Sequence, residues 1–187
     1  MLKKTLFFSI AFTLSSFALA QKKYVDVALI KTSNDTINGK MFIVTNLFNK
    51  TLLDERSFYK KVLLLDENAK KVVQKIKPQE VQKLNFEFQN HPYVYVNDGK
   101  QLQILVHDGK IKWYKRITSN FYDGSIDHID YLKDEKGKEY QLGMYNHKMN
   151  KLKELFKDHP TILAELEGKK FNEISLYDIL NQYDEMN

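Results

Sequence analysis

Cysteine is absent from all 187 residues, proline occurs three times and glycine seven times. The first absence excludes disulfide staples, cysteine nucleophiles, thiolate metal sites and the lipid attachment that tethers a bacterial lipoprotein. With so little glycine there is no Gly-rich phosphate loop. No serine sits in Gly-x-Ser-x-Gly, and no His-x-x-x-His pair occurs. The longest apolar run, Leu6 to Phe17, has twelve residues, short of the about twenty that a membrane-spanning helix needs. Charge of one sign is also scarce. Twenty-nine basic and 24 acidic residues are mixed throughout and leave a net +5, an ordinary soluble surface that argues against nucleic acid as a partner.

What is present begins with an address. Lys3 and Lys4 precede the apolar run, and Ala18-Leu19-Ala20 follows it. This is the layout of a secretory signal peptide with an Ala-x-Ala site, so cleavage is expected between Ala20 and Gln21, with Ala18 and Ala20 read by the processing enzyme. The competing expectation is a retained N-terminal anchor. Removing twenty residues from 187 leaves 167, enough for one domain, residues 21–187, with no transmembrane segment. Two lysines and no acid leave with the leader, so the net charge falls to +3. The expected location is the periplasm or the exterior.

The body, residues 21–143, reads as strands: all eleven tyrosines, eight of the twelve phenylalanines and the single Trp113 lie beyond Ala20. "YVDVALIKT" alternates Val25, Val27 and Leu29 on one face, Ser33-Asn34-Asp35 turns the chain, and "TINGKMFIVTN" returns, with Gly39 expected as a bulge. "FYKKVLLLD", "KKVVQKI", "VQKLNFEF" and "PYVYV" are each of strand length. Asp98-Gly99 and Asp108-Gly109 are hairpin signals flanked by alternating apolar residues. As tight turns they pair Asn97 with Lys100 and His107 with Lys110. Counting outward puts Tyr93, Tyr95, Leu102, Ile104, Val106, Ile111 and Trp113 on a core face. The opposite face then carries Gln101, Gln103, His107, Lys110, Lys112, Tyr114 and Arg116. A further hairpin is expected around Glu135-Lys136-Gly137.

Beyond Gly143 the period becomes helical. Met149, Leu152, Leu155 and Phe156 form one stripe, and Pro160 suits the first turn of a second helix ending near Gly168. Ser175 is placed to cap a third that carries Leu176, Ile179, Leu180 and Tyr183. The expected fold is α+β: an antiparallel β-meander sheet or partly closed barrel, followed by two or three short helices. The tail, residues 144–187, packs on the body with no low-complexity linker between them.

In sequence order, "TSNDTINGK", "IKPQEVQKLNFEF", "VHDGKIKWYKR", a "YL" hairpin, "LKELFKDHPTILAELE" and the terminal "LYDILNQYDEMN" follow the leader. This arrangement resembles a family of uncharacterised secreted proteins from Gram-negative bacteria of the Bacteroidetes group, across nearly the whole mature chain. The resemblance implies export and a β-rich body with short C-terminal helices, and it carries no activity. Members of that family often have a cysteine beside the proline of the second tail helix, where this chain has His159.

Two patterns offer chemistry. Gln101, Gln103, His107, Lys110, Lys112, Tyr114 and Arg116 form a polar and basic strand face with an aromatic ring, suited to an anionic envelope component such as an acidic glycan or a lipid head group. A solvated or helix-covered strand face accounts for the same residues. Asp123, Asp127, His128 and Asp130 bring oxygen and imidazole ligands within eight residues, a metal site in outline without the spacing of an EF-hand. There the competing reading is a turn with solvated carboxylates. The expected function is a non-enzymatic binding or structural module of the envelope, meeting an anionic component or another envelope protein, with no cofactor. The alternatives are a secreted hydrolase built on His128 and its neighbouring aspartates, and a small barrel around an apolar ligand.

Overall fold

Ten strands form one antiparallel sheet in the order β10-β9-β8-β7-β6-β5-β1-β2-β3-β4. The structure is a computed structural model and describes residues 23–46, 49–55, 57–119, 126–143 and 147–186. Ala18, Ala20, Gln21 and Asp123 lie outside the described residues. The strands are β1 (Lys23–Lys31), β2 (Thr36–Ile43), β3 (Val62–Leu65), β4 (Val72–Ile76) and β5 (Val81–Phe88). They continue as β6 (His91–Asn97), β7 (Leu102–Asp108), β8 (Lys112–Ser119), β9 (Ile126–Lys133) and β10 (Glu139–Leu142). Helix α1 (Ser57–Lys60) lies between β2 and β3, while α2 (Lys148–Leu155), α3 (Pro160–Leu166) and α4 (Leu176–Glu185) follow the sheet.

The sheet is open, with β4 and β10 at its edges. Its one departure from a simple meander is the step from β4, at an edge, to β5, beside β1. Four residues make that step, three of them, Pro78–Glu80, in a 3-10 turn. In a flat sheet the two strands would stand about 19 Å apart, four spacings of about 4.8 Å. A tight turn shortens four residues well below the about 3.3 Å each that extended chain spans. The first half of the sheet must therefore coil, and its inner face becomes a core. Val27, Leu29, Met41, Ile43, Val81, Leu84 and Tyr95 are buried there. Phe58, delivered by α1, fills the centre, 5.7 Å from Phe86 and 5.3 Å from Tyr95 between ring centroids.

"FYKKVLLLD" is thus only partly strand, a correction to the sequence reading: its first residues wind into α1, which turns Phe58 inward. The expected bulge at Gly39 is also corrected. Gly39 pairs with Val27 in a ladder unbroken from Lys23↔Ile43 to Ile30↔Thr36, with open space beside it. A hairpin not foreseen joins β5 to β6 through Gln89 and Asn90, both at positive φ (55° and 58°), the backbone of a two-residue turn that follows strand twist.

The second core lies on the same sheet face farther along. Ile111, Leu132, Tyr140 and Leu142 meet Leu152, Phe156, Ile162, Leu166, Leu176, Ile179 and Leu180 from the three helices. Pro160 opens α3, Gly168 follows it at φ 72°, and the Ser175 hydroxyl caps α4 by accepting from Asp178 N at 3.3 Å.

Both hairpins of the middle strands differ from their expected register. Asn97 pairs with Leu102 instead of Lys100, because Asp98 Oδ1 accepts from Lys100 N and Gln101 N and holds a four-residue loop. Asp108 pairs with Lys112, and His107 with Trp113 instead of Lys110. Beyond a bulge at Val106 the ladder resumes as Leu105↔Tyr114 and Ile104↔Lys115. The first change moves pairing by two residues and leaves the faces as expected. The second moves it by three, and the bulge absorbs the odd residue. Only the segment between bulge and turn changes sides.

Candidate functional site

That segment holds His107. It was expected on the outer face, but it points toward the helices, 8% exposed, with Nε2 2.8 Å from Asp184 Oδ2 on α4. Asp184 Oδ1 also accepts from Lys110 N at 2.8 Å, and Lys110 Nζ donates to Met186 O. Gly109 allows this contact, since a Cβ there would overlap the Asp184 carboxylate. His107 and Lys110 therefore belong to a latch between the β7–β8 turn and the end of α4. Gln101 sits in the preceding loop with Nε2 3.4 Å from Ile117 O.

The other four residues, Gln103, Lys112, Tyr114 and Arg116, line one groove of about 540 Å3. It lies on the sheet face opposite Trp113 and the helices, and cross-strand pairing builds its floor in three rows. In the first, Lys83 pairs with Val96 and Val96 with Gln103; one step beyond Ile104↔Lys115, Gln103 stands opposite Arg116. The second runs Leu105, Tyr114, Tyr131. The third runs Asp108, Lys112, Lys133, Glu139.

The lining carries five cations, Lys83, Lys100, Lys112, Arg116 and Lys133, against three anions, Asp98, Asp108 and Glu139, a net +2. Arg116 is held in place. Its Nε lies 3.0 Å from Asp98 Oδ2, at an ion-pair distance without hydrogen-bond alignment, and its guanidinium stacks 4.1 Å from the centre of the Tyr131 ring. Lys112 pairs with Asp108, whose hydrogen bond holds the ammonium above its ordinary range. Lys83, Lys100 and Lys133 make no ion pair among the described residues. Burial pushes the Tyr114 phenol up, against a downward pull from Lys112, so it is a neutral donor at physiological pH.

Gln103 is 5% exposed, and its Oε1 has no hydrogen-bond partner. Of the four buried side-chain atoms left without a partner among the described residues, three, on Asn85, Gln103 and Arg116, lie on this face. Asn85 joins it through its pairs Ala28 and Val94.

The described residues of the metal pattern, Asp127, His128 and Asp130, each take a different partner. His128 Nε2 meets Glu55 Oε2 at 2.8 Å, Asp130 Oδ1 accepts from Trp113 Nε1 at 2.8 Å, and Asp127 Oδ1 accepts from His128 N. Among the described residues no three His, Asp or Glu side chains gather as metal ligands. Glu55, Lys83 and Lys133 were not singled out from sequence, and Asp98 was read only as a turn residue. Lys83 and Lys133 reach the groove through sheet order, and no local spacing announces it.

Compared with protein-family models, with curated proteins and with solved structures, the chain matches none.

Proposed function

We propose that this chain is an exported, non-enzymatic binding module of the cell envelope, and that the groove on the open sheet face holds an anionic envelope component. The observation that carries this reading is the third row. Lys112 and Lys133 are direct cross-strand neighbours, a pairing that sets their Cβ atoms about 5 Å apart and is unfavourable for two like charges. Asp108 and Glu139 flank the pair without cancelling the groove's positive excess. An anion between the two ammonium groups would remove the repulsion. Export rests on the leader in residues 1–20 and on the resemblance to secreted proteins of the Bacteroidetes group.

The test titrates the protein with inorganic phosphate and acetate at low and high salt, followed by amide NMR. Shifts should centre on Tyr114, Lys112 and Lys133 and weaken as salt screens the charges. Lys112→Gln with Lys133→Gln should lower affinity at least tenfold, while Lys110→Gln, on the latch, leaves it unchanged. Binding indifferent to the double substitution would refute the assignment. A hydrolase is the second reading, favoured by the His128–Glu55 pair alone; turnover of an ester, glycoside, peptide or phosphate abolished by His128→Ala would establish it.

A further inference from the structure

The groove's charges account for an anion, but not for Gln103. A buried carbonyl oxygen without a partner is destabilising, because the water it gave up on folding is not replaced. Gln103 lines the groove in the row next to Tyr114, with the Lys112–Lys133 pair in the row beyond, and its Oε1 is buried. Arg116, opposite Gln103, is already engaged by Asp98 and Tyr131 and leaves Oε1 unsatisfied. What Oε1 lacks is a donor: a simple carboxylate brings none, and the one O–H of hydrogenphosphate belongs to the group that the two lysines would hold, two rows away.

From this geometry we infer that the ligand is a polyhydroxylated anion, a sugar bearing a carboxylate or a phosphate. The inference rests on the groove reading above and narrows it. The anionic group sits between Lys112 and Lys133, the ring lies along Tyr114, and a hydroxyl donates to Gln103 Oε1. Rows two residues apart along a strand are separated by about 6.7 Å, so the two polar ends are about 13 Å apart at the backbone, with Tyr114 between them. Lys112 and Lys133 line one end of the groove and Gln103 the other. The volume of about 540 Å3 falls within the range of small-ligand pockets. Tyr114 offers both a ring face and a neutral hydroxyl, a combination that suits a sugar's C–H face and its hydroxyl rim.

The experiment titrates the protein with sodium glucuronate, glucose 6-phosphate, glucose, acetate and inorganic phosphate, read by amide NMR. At least one sugar anion should bind tenfold or more tighter than its simple counterpart, acetate or phosphate, and than glucose. Whichever sugar anion wins identifies the group as carboxylate or phosphate. Gln103→Leu should erase that advantage; Gln103→Met serves if the branched side chain prevents folding. Sugar anions binding no tighter than simple ones would overturn this inference and leave the anion groove standing. Glucose binding as tightly as the sugar anions, or an undiminished advantage in the Gln103 variants, would also overturn it. Absence of binding by every anion would remove both.

Discussion

The two halves of the sheet have the same need, an apolar face to cover, and meet it differently. The first half, β1 to β6, covers itself: it coils around Phe58 and stacks Phe86 with Tyr93 and Tyr95 at centroid distances of 5.2 and 6.0 Å. The second half, β7 to β10, is covered by three helices after the last strand, secured at the β7–β8 turn by Asp184. Borrowed cover removes the need to coil, so the second face of β7–β10 is free for other use, and most of the groove lies there. The first core is apolar and aromatic. The second adds one polar latch whose members lie far apart in the chain.

Phe58→Ala tests the self-covered half and should have the largest effect. Phe58 is 2% exposed at the centre of the coil, so the cavity should cost about 3 to 5 kcal/mol. Trp113, the single tryptophan, reports on the other half. If its fluorescence and far-ultraviolet circular dichroism lose structure at the same urea concentration, the halves unfold as one unit. Separate midpoints would divide the sheet into two units and sharpen the contrast.

Gly109→Ala tests the latch. The new Cβ would displace Asp184, breaking the His107 contact and the Lys110 N–H bond together. Hydrogen bonds to a charged group contribute about 1.5–3 kcal/mol each, so a loss of about 3 kcal/mol is expected in chemical denaturation. Asp184→Ala should cost a similar amount, and the double variant no more than either single one, because both act on one carboxylate. Additive costs would show that the glycine serves the turn alone.

The facing of residues was legible in the sequence where two errors in turn length preserved parity. Trp113 and Tyr114 split between core and groove as counted, because the 98–101 loop added two residues to the pairing and the Val106 bulge corrected the other turn. His107 was misplaced because it lies between bulge and turn, where nothing corrects the count, and Lys110 because the turn runs over Gly109, Lys110 and Ile111. The groove as a whole was not legible. Lys83 and Lys133 come from β5 and β9, and only the strand order places them beside Gln103 and Lys112. The latch joins residues 77 apart, His107 and Asp184, and no periodicity encodes that distance. The three tail helices were legible because a proline, a capping serine and the apolar stripes all agreed.

Tyr95 should distinguish the halves at high pH. Burial first, then the charges of Glu55 and Tyr93, raise its phenol well above the ordinary 10.0. The folded state holds that proton more tightly than the unfolded chain. The resulting stability is therefore complete below pH about 10 and is lost as pH rises through the elevated value. Alkaline unfolding followed by tyrosine absorbance should begin above pH about 10, and Tyr95→Phe should delay it. An unchanged profile in Tyr95→Phe would assign alkaline unfolding to another group.

The smallest effect is expected at the groove, and its sign matters more than its size. Gln103→Leu replaces a buried amide whose oxygen has no partner with an apolar group of similar volume. Leaving such an atom unsatisfied costs about 1–3 kcal/mol, so the variant should be as stable as the parent or more stable by up to about 1 kcal/mol in urea titration. Most buried polar residues behave in the opposite way, losing stability when truncated because their partners are orphaned in turn. Phe58→Ala and Gly109→Ala lower stability because those sites serve the fold. A gain or a null at Gln103, combined with lost selectivity for sugar anions, would mark a residue retained for its ligand at the expense of the fold. A loss of 2 kcal/mol or more, by the same scale of one orphaned partner, would show that the amide oxygen is satisfied in solution and supports the sheet, making the open face structural like the two cores.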